Sequence, residues 1–285
     1  MPSAVLCHPS TNAIARTWDS ALHLLRVLIL GPLETPYEYA PFVIDVLLDN
    51  SFPTQPPQTF FHSWTDSSGP VNPNLYEDGK ICLSLLGTWP GGSESDTWSP
   101  KATLLQVLVS LLGLVLVKDP YYNEAGYEVR AGSRETRIPS AVYAERSFLK
   151  TRQFISRALN PLVAGFEQEL RLLYLSDAPK APMLLARAVY DAVVVIRRTR
   201  AYSPGASPPL DVNSAGTNRV MSVGAVIPLQ RTVRSLLDTM RQSSVAGKLA
   251  ERLQHLVDGS SSQDVPTFDE MVQASSGGSD RVAGS

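Results

Sequence analysis

Within the stretch VNPNLYEDGKICLSLLGTW, residues 71–89, lie Cys82, one of two cysteines in the chain, and Asn74 eight positions before it. A thiolate is a nucleophile, and a cysteine on a loop is placed to use it. Most free cysteines are inert small hydrophobes. Cys7, in an N-terminus without clear pattern, is read that way. Cys82 differs, because the preceding NPNLYEDGK is a dense turn cluster and Glu77-Asp78-Gly79 marks a tight turn. The sequence therefore predicts Cys82 on irregular backbone, at least partly accessible, in a shallow groove with Asn74 close by.

Three chemistries fit a lone cysteine to different degrees. A cysteine hydrolase needs a histidine base within hydrogen-bond reach. The four histidines, His8, His23, His62 and His255, stand in no local signature, and His62 is the one sequence distance leaves open. A zinc site needs clustered ligands, and Cys7 and Cys82 lie far apart with no paired histidine spacing. An acyl carrier needs less. Its thiolate accepts an acyl group as a thioester, and an incoming amine then takes it. Such a site must supply a donor for the tetrahedral oxyanion and a group that favours the neutral amine. An asparagine beside the cysteine meets the first need, and an acidic side chain at the mouth meets the second.

The elements around this segment read as one domain with an extension. The chain has 285 residues, 44% hydrophobic and 18% charged, with net charge −2. That charge gives no reason to expect nucleic acid or an acidic membrane as partner. Cysteine usage fits a reducing compartment, cytoplasm or nucleus. The N-terminus lacks the charged start and apolar run of a signal peptide. The most apolar stretch, residues 104–117, falls short of the roughly 20 residues that span a membrane.

Residues 22–30, 42–48 and 59–64 read as strands, separated by GPLETPYEYAP and the proline-rich DNSFPTQPPQ. Short connections favour an antiparallel meander. Ser99 reads as an N-cap and Pro100 as the first turn of a helix over 104–117, a core helix covered on most sides, ending at Asp119-Pro120. Residues 138–159 form an amphipathic pattern that Pro161 breaks, followed by LVAGFEQELRLLYL and by 181–200. SPGASPP at 203–209 reads as a linker, 229–257 as helical, and QASSGGSDRVAGS as a disordered tail.

With these residues quoted, the sequence resembles the ubiquitin-conjugating enzyme family. The family's active-site pattern is His-Pro-Asn, a loop, then Gly-Lys-hydrophobic-Cys-Leu. Asn72-Pro73-Asn74 and Cys82 keep its spacing. GPLETPYE at 31–38, FPTQPPQTFF at 52–61 and TWSPKATLLQVLVSLLGLV follow in the family's order, so the resemblance covers about residues 20–160. NPNLYEDGKICLSLLGTW, LLQVLVSLLGLVLVKDPYYNEAGYE and FEQELR are most similar to the branch of large hybrid enzymes, the conjugating enzyme O type, which combines conjugation with ligase activity. In that branch Asn replaces the first His, so Asn72 is a branch feature, and loss of the His, which in the wider family braces the loop, does not argue against activity.

The resemblance implies an α+β fold, a four-stranded antiparallel meander packed against a central helix, with C-terminal helices. It implies a thioester nucleophile at Cys82. Asn74 would stabilise the oxyanion or brace the loop, and Glu124 would be the acidic gate that favours a neutral lysine. Ser84 stands where many members have Asp, and Tyr76, Leu83 and Leu86 read as packing. The implied partners are ubiquitin, the activating enzyme, lysine-bearing protein substrates and a ligase. No cofactor is bound, because ATP is consumed by the activating enzyme upstream. Two departures stand out. Thr54 occupies the aromatic position that docks RING-type ligases, and residues 1–17 carry no pattern for the helix that precedes the family's first strand. Members of the branch extend further on the N-terminal side, so the resemblance implies a shortened chain. The expected organisation is a weakly patterned 1–17, a conjugating core at 18–160 and C-terminal helices at 161–200. A linker, a helix at 229–257 and a flexible tail then fill 201–285. The rival reading is a catalytically impaired module that binds ubiquitin or a partner.

Overall fold

A computed structural model describes residues 2–8, 12–89, 97–176, 181–201, 219–242, 246–259 and 265–276. The chain divides into two compact units, Met1–Arg157 and Ala158–Ser285.

The first unit is built on a five-stranded antiparallel meander: β1 (Pro2–His8), β2 (Ala13–Trp18), β3 (Ala21–Leu30), β4 (Pro41–Leu47) and β5 (Gln58–Phe61), ordered as in the sequence. The α+β class and the antiparallel meander agree with the sequence reading. The difference lies in residues 1–17, which read as weakly patterned and supply β1 and all of β2 but Trp18. In β2 the buried positions are Ala13 and Ala15, alternating with Ile14 and Arg16. Alanine is a weak strand former, so the period-2 signal was faint. No helix lies among the described residues ahead of β3.

Sequence reading and structure also differ on the helix that covers the sheet. That role falls to α2 (Arg137–Leu159). Phe42 of β4 and Phe61 of β5 meet Phe154 of α2 at ring-centroid distances of 5.6 and 6.2 Å, and Trp64 meets it at 5.4 Å. Rings buried this way contribute about 1.5–3 kcal/mol each. The apolar segment read as a core helix is α1 (Leu104–Ser110), continued by a π turn over Leu111–Val115. It buries Val107, Leu111, Val115 and Leu116 but leaves Leu105, Val109 and Leu114 41%, 50% and 63% exposed. Its N-cap is Thr103, not Ser99. Thr103 and Gln106 exchange bonds in a capping box, while Ser99 accepts a turn bond from Ala102.

The turn GPLETPYE is tightly determined. Gly31 donates to the Ala40 carbonyl at 2.8 Å, and a Cβ on Gly31 would sit 1.8 Å from the Tyr37 carbonyl oxygen. Thr35 donates to the Pro32 carbonyl at 2.7 Å and accepts from the Tyr37 amide at 3.1 Å. The turn thereby buries Tyr37 completely, with its hydroxyl facing the Cys82 segment.

The second unit holds α3 (Glu167–Leu170), α4 (Leu184–Arg200), α5 (Val223–Arg241), α6 (Ala246–Asp258) and α7 (Phe268–Ser276). LVAGFEQELRLLYL contributes only the short α3 and a π turn over Arg171–Leu175. The stretch 229–257 is two helices rather than one, and α7 takes in residues that read as tail. The linker at 203–209 lies outside the described residues. Arg197 and Arg200 of α4 donate to the Leu256 and Val257 carbonyls at 3.2 and 3.1 Å, which satisfies the C-terminal end of α6. None of the described helices is long and apolar enough to cross a membrane.

Candidate active site

The Cys82 segment folds into a short hairpin. Leu75 and Ile81 pair as an antiparallel bridge, the Cys82 amide donates to the Asn74 carbonyl at 2.8 Å, and the Tyr76 amide donates to the Lys80 carbonyl at 2.9 Å. Gly79 turns the chain at φ +91°, a backbone region that favours glycine. Side chains alternate across a strand pair. Leu75 and Ile81 accordingly point to one face and are 2% and 1% exposed. Asn74, Tyr76, Lys80 and Cys82 share the other face.

On that face Asn74 grips Cys82 twice. Its carbonyl accepts from the Cys82 amide, and its side-chain Nδ2 donates to the Cys82 carbonyl at 2.9 Å. The Asn74 Oδ1 is buried without a bonding partner. The neighbouring Cys82 side chain, then burial and the charges of Glu124 and Asp78, raise the Tyr76 phenol above its ordinary value. Cys82 is 3% exposed, against the sequence expectation of an accessible groove.

Asn72, one rung further, ties this hairpin to the rest of the unit. It is fully buried. Its Nδ2 donates to the Tyr37 hydroxyl at 2.8 Å and to the Val115 carbonyl at 2.7 Å, and its Oδ1 accepts from the Asn74 amide at 2.8 Å. Burial pushes the Tyr37 phenol far up, although its bonds to Asn72 and Ser147 act the other way. The Val71 carbonyl accepts from Ser147 at 2.9 Å, and Lys150 donates to the carbonyls of Ser68, Gly69 and Pro70 at 2.9, 2.7 and 3.0 Å. On the far side, the Thr88 hydroxyl donates to the Ile81 carbonyl at 2.6 Å and accepts from the Leu83 amide at 3.0 Å.

Glu124 follows the short 3-10 turn Pro120–Asn123 and is exposed on extended backbone. Asn123 anchors that turn to the same network, donating to the Val115 carbonyl at 3.0 Å and to Asn72 Oδ1 at 3.4 Å. The charge of Glu124 reaches both Tyr76 and Tyr143, raising each phenol. For Tyr143 burial is the larger cause, and its hydroxyl has no bonding partner. The structure therefore bonds Asn74 to Cys82 and puts the charge of Glu124 within reach of Tyr76, which the sequence reading assigns to packing. The signal for Tyr76 was available: two positions after Asn74 and paired with Lys80, it had to share the face of Cys82.

His62 does not serve Cys82. It lies 2.8 Å from Asp45, which also holds Arg26 through bonds of 2.6 and 2.8 Å. Among the described residues no three His, Cys, Asp or Glu side chains gather to hold a metal. Beside the hairpin, Leu83 and Leu85 meet Leu105, Val109 and Leu114 along an open apolar groove.

The family model described as "Ubiquitin-conjugating enzyme" matches residues 5–145. "Probable ubiquitin-conjugating enzyme E2 23" of Arabidopsis thaliana is 37% identical over 200 residues, 66% of this chain and 18% of that protein. "Probable ubiquitin-conjugating enzyme E2 25" of the same plant is 44% identical over 135 residues, 47% of this chain and 22% of that protein. The human "Dual E2 ubiquitin-conjugating enzyme/E3 ubiquitin-protein ligase BIRC6" is 40% identical over 140 residues, 49% of this chain and 3% of that protein. The chain thus spans about a fifth of the length of the two plant relatives.

Proposed function

Because residues 5–145 belong to the ubiquitin-conjugating enzyme family, we propose that the chain takes ubiquitin from an activating enzyme as a thioester on Cys82 and passes it to a substrate lysine. The observation that carries this is the hairpin face itself. It pins the main chain of Cys82 to Asn74 on both sides, and the charge of Glu124 acts on Tyr76 of the same face.

The chemistry follows from those groups. In loading, the Cys82 thiolate attacks the thioester carbonyl held by the activating enzyme, whose own thiolate leaves. ATP is spent in that upstream step. In transfer, the lysine amine attacks the Cys82 thioester, the C–N bond forms and the C–S bond breaks. The tetrahedral oxyanion needs a donor. Asn74 uses one amide proton to brace Cys82 and keeps a second, so one side chain meets both roles assigned to it. Glu124 favours the lysine beside it and accepts a proton as the amine becomes an amide. The groove from Leu83 to Leu114 gives a protein cargo apolar surface next to the thioester.

Transfer without a separate ligase is part of this reading. The match to a relative named as a dual enzyme supports it, as does exposed Thr54 in the proline-rich loop where an aromatic docking residue is expected. Substrates with accessible lysines, the activating enzyme and a reducing cytoplasmic or nuclear setting complete the proposal. A second reading, a module that binds ubiquitin without carrying it, is favoured by the burial of Cys82.

Incubation with activating enzyme, ATP and ubiquitin, followed by a non-reducing gel, separates the two. A thiol-labile adduct of one ubiquitin is expected, with Cys82→Ser giving no adduct or a thiol-resistant oxyester. A folded chain that forms no adduct would overturn the enzyme reading in favour of the binding module.

A further inference from the structure

We propose that Thr88 is a positioning residue for the Cys82 reaction: its hydroxyl closes the second edge of a main-chain clamp whose first edge is Asn74. The clamp keeps the sulfur in place through loading and discharge. The positioning role rests on the thioester reading above. The clamp itself does not.

Chain geometry brings Thr88 to that place. Leu83 is extended, with φ −150° and ψ 131°. The chain then makes one 3-10 turn over Ser84–Leu86 and reverses at Gly87, whose φ of +68° lies in the left-handed region that favours glycine. The Gly87 amide donates to the Ser84 carbonyl at 2.9 Å, and the Thr88 amide donates to the Leu83 carbonyl at 3.3 Å. The reversal lays Thr88 beside the segment that carries Cys82.

Four main-chain groups flank the Cys82 side chain, and all four are bonded. The Asn74 carbonyl accepts from the Cys82 amide at 2.8 Å, and Asn74 Nδ2 donates to the Cys82 carbonyl at 2.9 Å. The Thr88 hydroxyl donates to the Ile81 carbonyl at 2.6 Å and accepts from the Leu83 amide at 3.0 Å. In an extended chain the N–H and C=O of one residue point to one edge, while the C=O before it and the N–H after it point to the other. Asn74 and Thr88 therefore grip opposite edges. Ile81, Cys82 and Leu83 are 1%, 3% and 5% exposed, so water does not replace a lost partner unless the chain opens.

This has a chemical consequence. Backbone amides beside a nucleophile are a common source of the oxyanion donor. Here the amides of Cys82 and Leu83 are both occupied in holding the chain. The donor is then the second side-chain proton of Asn74, and its aim depends on where the clamp sets the Cys82 main chain. In discharge the lysine nitrogen bonds to the thioester carbon, and the C–S bond breaks with its electron pair going to the Cys82 sulfur. The amine proton goes to Glu124 or solvent. Thr88 takes no part in these bond changes and keeps its own proton. A looser chain lets the thioester carbon drift from the Asn74 donor, which lowers the rate at saturating lysine and leaves lysine capture as it was.

Thr88→Val replaces the hydroxyl by a methyl of similar shape, and Thr88→Ser keeps the hydroxyl. The first measurement is amide hydrogen exchange at Leu83 by NMR, which needs neither ubiquitin nor activating enzyme. In Thr88→Val the Leu83 amide is expected to exchange about tenfold faster while the amides of β3 and β4 keep their protection, and Thr88→Ser is expected to match wild type. Unchanged exchange at Leu83 in Thr88→Val overturns the clamp. The second is single-turnover discharge of preformed thioester onto free lysine. The maximal rate should fall about three- to tenfold in Thr88→Val with the half-saturating lysine concentration unchanged, and recover in Thr88→Ser. A wild-type maximal rate in Thr88→Val, or a loss that Thr88→Ser does not recover, overturns the positioning role. Thr88→Ala carries both measurements should Thr88→Val not fold. If the wild-type chain forms no thioester, the function reading fails and takes the positioning role with it, and exchange at Leu83 alone decides the clamp.

Discussion

The Cys82 hairpin and the helix that follows it differ in what specifies them. Residues 71–82 bury Val71, Leu75 and Ile81, and they also bond to Tyr37, Val115, Asn123 and Ser147 from well-separated parts of the first unit. The segment 104–117 is the most apolar in the chain, and its α1 portion presents Leu105 and Val109 to solvent, with Leu114 of the following π turn exposed beside them. Polar bonds with fixed geometry hold a nucleophile at one position, which apolar burial, being non-directional, does not do. The apolar helix and its π turn set Leu105, Val109 and Leu114 along an open groove beside the hairpin.

The largest expected effect breaks the polar side of this contrast. Asn72→Ala removes an amide bonded to the Tyr37 hydroxyl, the Val115 carbonyl and the Asn74 amide in a fully buried position. The orphaned partners should cost about 2–4 kcal/mol in chemical denaturation. The loop should loosen as well, so loading of Cys82 should fall more than stability alone explains. Asn72→His, the residue common in the wider family, should recover part of both. A variant with wild-type stability would show that the network decorates the hairpin rather than holding it.

How much of this was legible in the sequence depends on what carried the signal. Spacing carried Asn74 and Cys82, since eight residues around a glycine turn place them opposite each other. Apolar runs carried β3 and β4, and Pro161 marked the end of α2. Period alone failed for β2, where alanines hide the buried face, and for α1, where an apolar helix was taken for a covered one. Hydrophobic composition reports that a face will be buried against something, and does not say whether the partner lies within the chain. Tyr76 was passed over because an aromatic beside a turn reads as packing until strand alternation fixes its face.

A smaller effect tests polar specification away from the hairpin. On the sheet, partial burial works to raise the Asp45 carboxyl, but the bonds from Arg26 and His62 outweigh it and hold the group well below the usual carboxylate range. A depressed folded value means stability that is complete above the ordinary carboxylate titration near about pH 4 and is lost as pH falls toward the depressed value. Wild-type protein should therefore lose stability between about pH 5 and pH 2 more steeply than Asp45→Asn, with the curves parallel above pH 6. Equal acid slopes would mean that Asp45 titrates normally and that the Arg26 pair is an exposed one of little consequence.

The smallest effect on stability bears on the apolar side. Leu114 is 63% exposed, and Leu114→Ser should change the folding free energy by no more than about 0.5 kcal/mol. Leu111, one turn away and 2% exposed, should cost about 2–4 kcal/mol as Leu111→Ala. The informative readout for Leu114→Ser is thioester discharge. If the groove from Leu83 to Leu114 seats the cargo, discharge should slow severalfold at unchanged thermal midpoint, because removing apolar contact area lowers occupancy of the seated state. Normal discharge at normal stability would leave the polar hairpin as the whole of the site and α1 as a face turned toward some other chain.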